Sequence, residues 1–165
     1  MGLTYAELTL TNLFTNQQMQ VNALVDTGAT FMCVTEEIAL QLGFDITEVR
    51  QQTVTLADGH QRKVPKIAPI EIAFANRNYV TEAVVLGNEP LLGILPLEAM
   101  DLVVDPRQQA LIVNPQHPNY SVALAKERSK NNLRKFIPGL GKRWDSIDQL
   151  SQIVIETFLR ADDGA

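Results

Sequence analysis

Thr4 to Leu10 sets Tyr5, Glu7 and Thr9 against Ala6, Leu8 and Leu10, a period of two that predicts a strand. Turn-forming residues fill 12–16, and Met19–Val25 predicts the returning strand of a hairpin. Its end, Ala23-Leu24-Val25, runs straight into Asp26-Thr27-Gly28-Ala29-Thr30. A carboxylate is costly to bury, so an acid at the mouth of an apolar strand is either paired or in use. The Gly that follows permits a tight turn where a Cβ would clash.

Thr30–Val34 predicts a short strand and Glu36–Leu42 a helix. Thr35 can cap that helix, Glu36 and Glu37 suit its positive end, and Gly43 can close it in a left-handed conformation. Ile38, Ala39 and Leu42 form its apolar face. Gln52–Leu56 and Gln61–Val64 flank Asp58-Gly59, a strong hairpin signal with a polar tip. Ile67–Phe74 and Tyr79–Leu86 predict a further strand pair around Asn76-Arg77-Asn78, with Pro65 and Pro69 restricting the first to an edge or to irregular pairing. Pro96 suits the first turn of a short helix reaching Met100, and Leu102–Val104 and Leu111–Val113 are the last strands.

The pattern changes after Asn114–Tyr120, a Pro- and Asn-rich loop. Helices are expected over 122–136 and 147–160, separated by Pro138-Gly139-Leu140-Gly141, the second opening on a capping-box pattern at Ser146–Gln149. The organisation read from the pattern is an all-β body over 1–115 with one or two short helices, followed by a linker and a basic helical tail over 116–165.

Charge divides the chain at the same place. Residues 1–120 carry 6 Lys/Arg against 13 Asp/Glu, whereas 121–165 carry 8 against 6. An acidic body disfavours nucleic acid as its main partner, because phosphate binding needs a basic face. The block 126–143 is the one candidate for a nucleic-acid or membrane-surface contact, and a solvated helix face is the simpler reading of it. No apolar run approaches the roughly 20 residues that span a bilayer. The N-terminus lacks a basic segment followed by an apolar one, so no secretory signal is expected. The single Cys33 cannot form an internal disulfide, which fits a reducing, cytoplasmic setting.

Val25-Asp26-Thr27-Gly28-Ala29 resembles the active-site signature of aspartic proteases, and Leu91-Leu92-Gly93 resembles the family's second hallmark, two apolar residues and a Gly that support the active-site loop. One Asp-Thr-Gly in a short chain is similar to the retropepsin-like branch, in particular its small prokaryotic single-domain members, over roughly residues 4–115. The resemblance implies a closed β-barrel contributing half of a site, peptide or protein substrates, a homodimer with Asp26 from each subunit as the catalytic pair, and no cofactor or metal. It implies that Thr27 ties the two loops together, that Gly28 and Ala29 leave room beside the carboxylates, and that the hairpin around Ala57, Asp58 and Gly59 folds over substrate as a flap. An ordinary surface hairpin is the other reading of that segment. Gly93 is followed by Ile94-Leu95-Pro96 rather than the viral Gly-Arg-Asn/Asp, and the viral Gly-rich flap tip is missing. The viral ion-pair network that supports the dimer is therefore not expected.

Asp45, Asp58, Asp101 and Asp105 offer no second Asp-Thr/Ser-Gly, so a two-carboxylate mechanism requires a second copy of the chain. His60, His117 and Cys33 lack zinc spacing, and Cys33 in its apolar stretch reads as a buried, inert thiol rather than a nucleophile. Two alternatives belong to other classes: a non-catalytic, dimerising peptide-binding or regulatory module, and an interaction protein acting through its basic tail. The tail is alternatively a built-in inhibitor covering the cleft.

Overall fold

Nine strands and two six-residue helices make up the protein over residues 2–123, the part that this computed structural model describes. In chain order they are β1 (Tyr5–Asn12), β2 (Gln18–Val25), β3 (Met32–Val34), α1 (Glu36–Gln41), β4 (Gln51–Thr55), β5 (Gln61–Phe74), β6 (Arg77–Val85), β7 (Leu91–Leu92), α2 (Ile94–Ala99), β8 (Leu102–Asp105) and β9 (Ala110–Val113). The helical tail expected over 122–160, with its basic block 126–143, lies outside the described residues apart from Val122 and Ala123, which are not helical.

The strand pairings close a ring. β1 pairs antiparallel with β2, β2 parallel with β7, β7 antiparallel with β3, and β3 parallel with β6. β6 pairs with β5, and β5 returns to β1 through Thr9↔Ala73 to Asn12↔Ile70. Three strands lie outside this circuit: β4 extends it from β5, and β9 and β8 extend it from β1. Alternation puts Ala6, Leu8 and Leu10 of β1 inside, where they join Val21, Ala23, Ile67, Ile70, Ile72, Ala83 and Leu92 in one core. Asn12 is the polar member of that inward row. It is buried, yet its Nδ2 donates to the Leu42 carbonyl at 2.9 Å and its Oδ1 accepts from the Phe14 amide at 2.9 Å.

β5 corrects one expectation. Residues 61–64 and 67–74 form one continuous strand, flanked by β4, β6 and β1 rather than lying at an edge. Irregular pairing was the other expectation, and it holds: the β5–β6 register shifts between Ile67 and Ile70, around Pro69. A residue without an N–H fits there because the ladder is already interrupted.

α1 forms as its caps predict. Thr35 Oγ1 accepts from the Ile38 amide at 3.2 Å, Glu36 and Glu37 occupy the first turn, and Gly43 follows at φ +79°. α2 begins at Ile94 and places Pro96 in its first turn, as expected, where no intrahelical N–H bond is lost.

Beyond β9 the chain stays on the body through polar contacts. Asp101 accepts from Asn114 Nδ2 at 2.8 Å and from the Val122 amide at 3.1 Å, and its Oδ2 lies 2.7 Å from His117 Nδ1. The buried Arg77 donates to the His117 carbonyl, and Asn76 donates to that of Pro118 at 2.9 Å.

Candidate active site

The ladder between β2 and β7 carries the chain to Asp26. Leu24 pairs with Leu91 and Val25 with Leu92, and the Asp26 amide donates to the Leu92 carbonyl at 3.0 Å. The turn then closes tightly: the Ala29 amide donates to the Asp26 carbonyl at 3.2 Å, and the Gly28 amide to Asp26 Oδ1 at 2.9 Å. A Cβ on Gly28 would lie 3.1 Å from that same Oδ1, so the small residue keeps space beside the carboxylate itself.

The segment after β7 holds the far side of the turn. The Ile94 amide donates to the Ala29 carbonyl at 2.8 Å and the Leu95 amide to that of Thr30 at 3.1 Å. Cys33 of β3 pairs with Leu91. Leu91-Leu92-Gly93 is therefore a wedge bonded to both arms of the Asp26 loop. Gly93 is required by space: a Cβ there would stand 2.3 Å from the Phe31 carbonyl oxygen and 2.7 Å from that of Ala29.

Asp26 opens onto a cleft of about 610 Å³. The loop lines it through Gly28, Ala29, Thr30 and Phe31, the barrel through Cys33, Val84, Leu86 and Leu91, and the β4 side of the hairpin through Thr53 to Ala57. Asp26 is half-buried, and its Oδ2 makes no hydrogen bond among the described residues. Thr27 is exposed, and its hydroxyl makes none there either. Beneath the hairpin, Phe31, Val54, Leu86 and Leu91 pack on Cys33, Val64 and Val84, a small apolar cluster separate from the main core. Burial, and secondarily the charge of Asp26, pushes the Cys33 thiol up to about 11, so it stays protonated. It is an apolar wall of the cleft, as its sequence context indicates.

The hairpin tip lies elsewhere. Of Ala57, Asp58 and Gly59, only Ala57 borders the cleft. Asp58 and Gly59 are exposed, with Gly59 at φ +85° closing the turn and Asp58 Oδ1 accepting from the His60 amide at 2.9 Å. The hairpin residues that do line the cleft, Thr53 to Leu56, were legible only as a strand; the period-two placement of Val54 on the face of Val64 was the signal for them. Among the described residues, no cluster of three or more His, Cys, Asp or Glu is arranged to hold a metal, and no helix is long and apolar enough to cross a membrane.

Residues 12–98, from the end of β1 through α2, match the model of the family described as "gag-polyprotein putative aspartyl protease". The chain belongs to the retropepsin-like aspartyl protease family. The match spans both Asp26 and the Gly93 wedge of this aspartyl protease family member. Among solved structures, it is similar to a retropepsin-like aspartic protease from Rickettsia conorii, at 22% identity over 64% of this chain and 76% of that one, with a TM-score of 0.47. It is also similar to the retroviral protease-like domain of Ddi1 from Leishmania major, at 18% identity over 69% and 91%, with a TM-score of 0.48. No curated protein matches the chain.

Proposed function

We propose that this family member is an aspartic endopeptidase whose catalytic pair is Asp26 from each of two copies of the chain. The observation that carries the reading is Asp26 itself, placed at the wall of a cleft under a hairpin with one carboxylate oxygen unengaged among the described residues. Among the described residues no other acid lines that cleft. Asp58 stands at the hairpin tip, Asp101 is bonded to Asn114 and His117, and Asp105 accepts from the Arg107 and Gln108 amides in its own turn. The second carboxylate therefore comes from a second copy, with the site on a two-fold axis.

Two carboxyls sharing a site cannot both ionise, so they hold one proton between them. The ionised member takes a proton from a water held between the pair. That water attacks the scissile carbonyl, which the protonated member polarises. The Gly28 amide bonded to Asp26 Oδ1 orients the carboxyl, and Gly28 and Ala29 leave the approach open. Thr27, exposed and unbonded among the described residues, is free to clamp the loop of the second copy. Among the described residues β4 is the terminal strand of the sheet, so its outer backbone groups are available to pair with an extended substrate lying in the cleft.

The test is cleavage of a mixed peptide library at mildly acidic and neutral pH by wild type and Asp26→Asn, with molar mass measured by light scattering. Cleavage by wild type alone, from a dimer, is the expected result. A dimer that binds peptides and cuts none would make the protein a binding module instead, and cleavage by Asp26→Asn would remove Asp26 from the mechanism.

A further inference from the structure

The hairpin concentrates the positive charge of an acidic body. Arg50, Arg62, Lys63 and Lys66, four of the six Lys/Arg in residues 1–120, fall within 50–66, a stretch holding one acid, Asp58. These cations do not face alike. In the β4–β5 register Val54 stands opposite Arg62 and Gln52 opposite Val64, so Arg62 shares the face of Val54 and Val64 that is turned to the barrel. Lys63, opposite Thr53, lies on the other face, and Lys66 is paired with Glu82 at 2.9 Å.

Arg62 borders a second space, of about 430 Å³, together with Glu36, Val85, Leu86, Gly87 and Asn88. Leu86 also lines the cleft that holds Asp26, so one residue borders both spaces. Among the described residues Arg62 makes no ion pair, and Glu36, the other charge in this space, does not come within 4.0 Å of it.

We infer that this second space is a substrate subsite in which Arg62 receives a carboxylate side chain, Asp or Glu, of the bound peptide. The inference rests on the proteolytic reading above. An extended peptide turns every second side chain the same way, about 7 Å apart. When one side chain fills the apolar cleft beside Asp26, the side chain two residues along reaches Arg62. A guanidinium offers two parallel N–H donors to a carboxylate, which selects an acid over an amide of the same shape. Glu36 is the opposing charge, but it lies in the first turn of α1, where the helix end partly offsets it. Arg62, the cation that lines this space among the described residues, sets the sign of the site. Glu36 lowers the preference for an acid without reversing it.

The experiment takes one peptide that the full chain cleaves and sets Asp, Gln or Lys two residues to either side of the side chain that fills the cleft. kcat/KM is compared for wild type, Arg62→Gln, Arg62→Glu, Glu36→Gln and Lys63→Gln. At one of the two positions Asp should exceed Gln by about fivefold, the size of a single solvent-accessible ion pair, and less at high salt. Arg62→Gln should abolish the preference, Arg62→Glu should turn it towards Lys, Glu36→Gln should raise it, and Lys63→Gln should leave it unchanged. A wild type indifferent to charge at both positions, one that prefers Lys, or a preference for Asp that survives Arg62→Gln overturns the inference. If wild type cleaves nothing, the proteolytic reading fails by itself. Fluorescence anisotropy of a library peptide that the full chain binds, carrying Asp, Gln or Lys in turn at each position along it, then decides the subsite, a flat order of affinities overturning it.

Discussion

Gly93→Ala places one methyl group between two backbone carbonyls, those of Phe31 at 2.3 Å and Ala29 at 2.7 Å. Neither is the end of a flexible side chain, and both belong to the segment that follows Asp26. To restore ordinary contact, the loop or the wedge has to move by about 1 Å, which in a close-packed interior is felt by all neighbours. Overpacking of this kind costs about 1–3 kcal/mol, and loss of the bond from the Ile94 amide to the Ala29 carbonyl adds about 1 kcal/mol. A destabilisation of about 2–4 kcal/mol is expected, a fall in Tm of roughly 10 °C for a body of this size at fixed protein concentration. The catalytic effect is larger than the residual unfolding explains, because about 1 Å of misplacement at a reacting group costs about a hundredfold in rate. Thermal unfolding followed by circular dichroism, with kcat/KM measured where the variant is fully folded, separates the two effects. Gly59→Ala is the comparison. Nothing lies within 4 Å of a Cβ there, and the cost is the left-handed backbone alone, about 1 kcal/mol. A Gly93→Ala variant within about 0.5 kcal/mol of wild type, the range of an ordinary surface substitution, and equally active would refute the wedge argument.

Two further predictions concern titrating groups. Hydrogen bonds from Asn114 above all, and then from His117 and the Val122 amide, hold the Asp101 carboxyl below its ordinary value. Its stabilisation is therefore present at neutral pH and is lost as pH falls from the ordinary carboxylate value through the lowered one. Proteolytic cleavage within 114–122 should rise over that acidic range in wild type, and Asp101→Asn should flatten the dependence. Equal pH dependence in both proteins would dissociate Asp101 from the anchoring of this segment. At Cys33, a thiol pushed from 9.0 up to about 11 has about a hundredfold less thiolate at pH 8, so Ellman's reagent should react with the native protein at least that much more slowly than with the denatured chain. The raised value also means that its contribution to stability is intact below pH 9 and declines as pH rises through about 11. Rapid labelling of the native protein would show that the hairpin does not cover the thiol.

The acid and the wedge were both legible in the chain, because each is a local pattern: an apolar strand ending in Asp26-Thr27-Gly28, and two apolar residues with a Gly. What could not be read was the bonding between them. The space around Gly93 has no counterpart in the local pattern: its φ is −82°, and the glycine is required because the carbonyls of Ala29 and Phe31 come to lie against it. The hairpin shows the same limit. Asp58-Gly59 announces a turn, so the sequence directs attention to the tip, whereas the cleft is lined by Thr53 to Ala57, which reach it through the packing of Val54 and Val64 on Cys33 and Val84.

Local periodicity and turn chemistry determined the strands other than β7, the capped helix α1 and the position of Asp26 at a strand end, since those depend on residues a few places apart. The continuity of β5 through Pro65 and Pro69, the closure of the ring by β5 on β1, and the placing of Arg62 on a space that shares Leu86 with the cleft were decided only in three dimensions. Each depends on pairing between residues distant in the chain, where burial and register outweigh local preference.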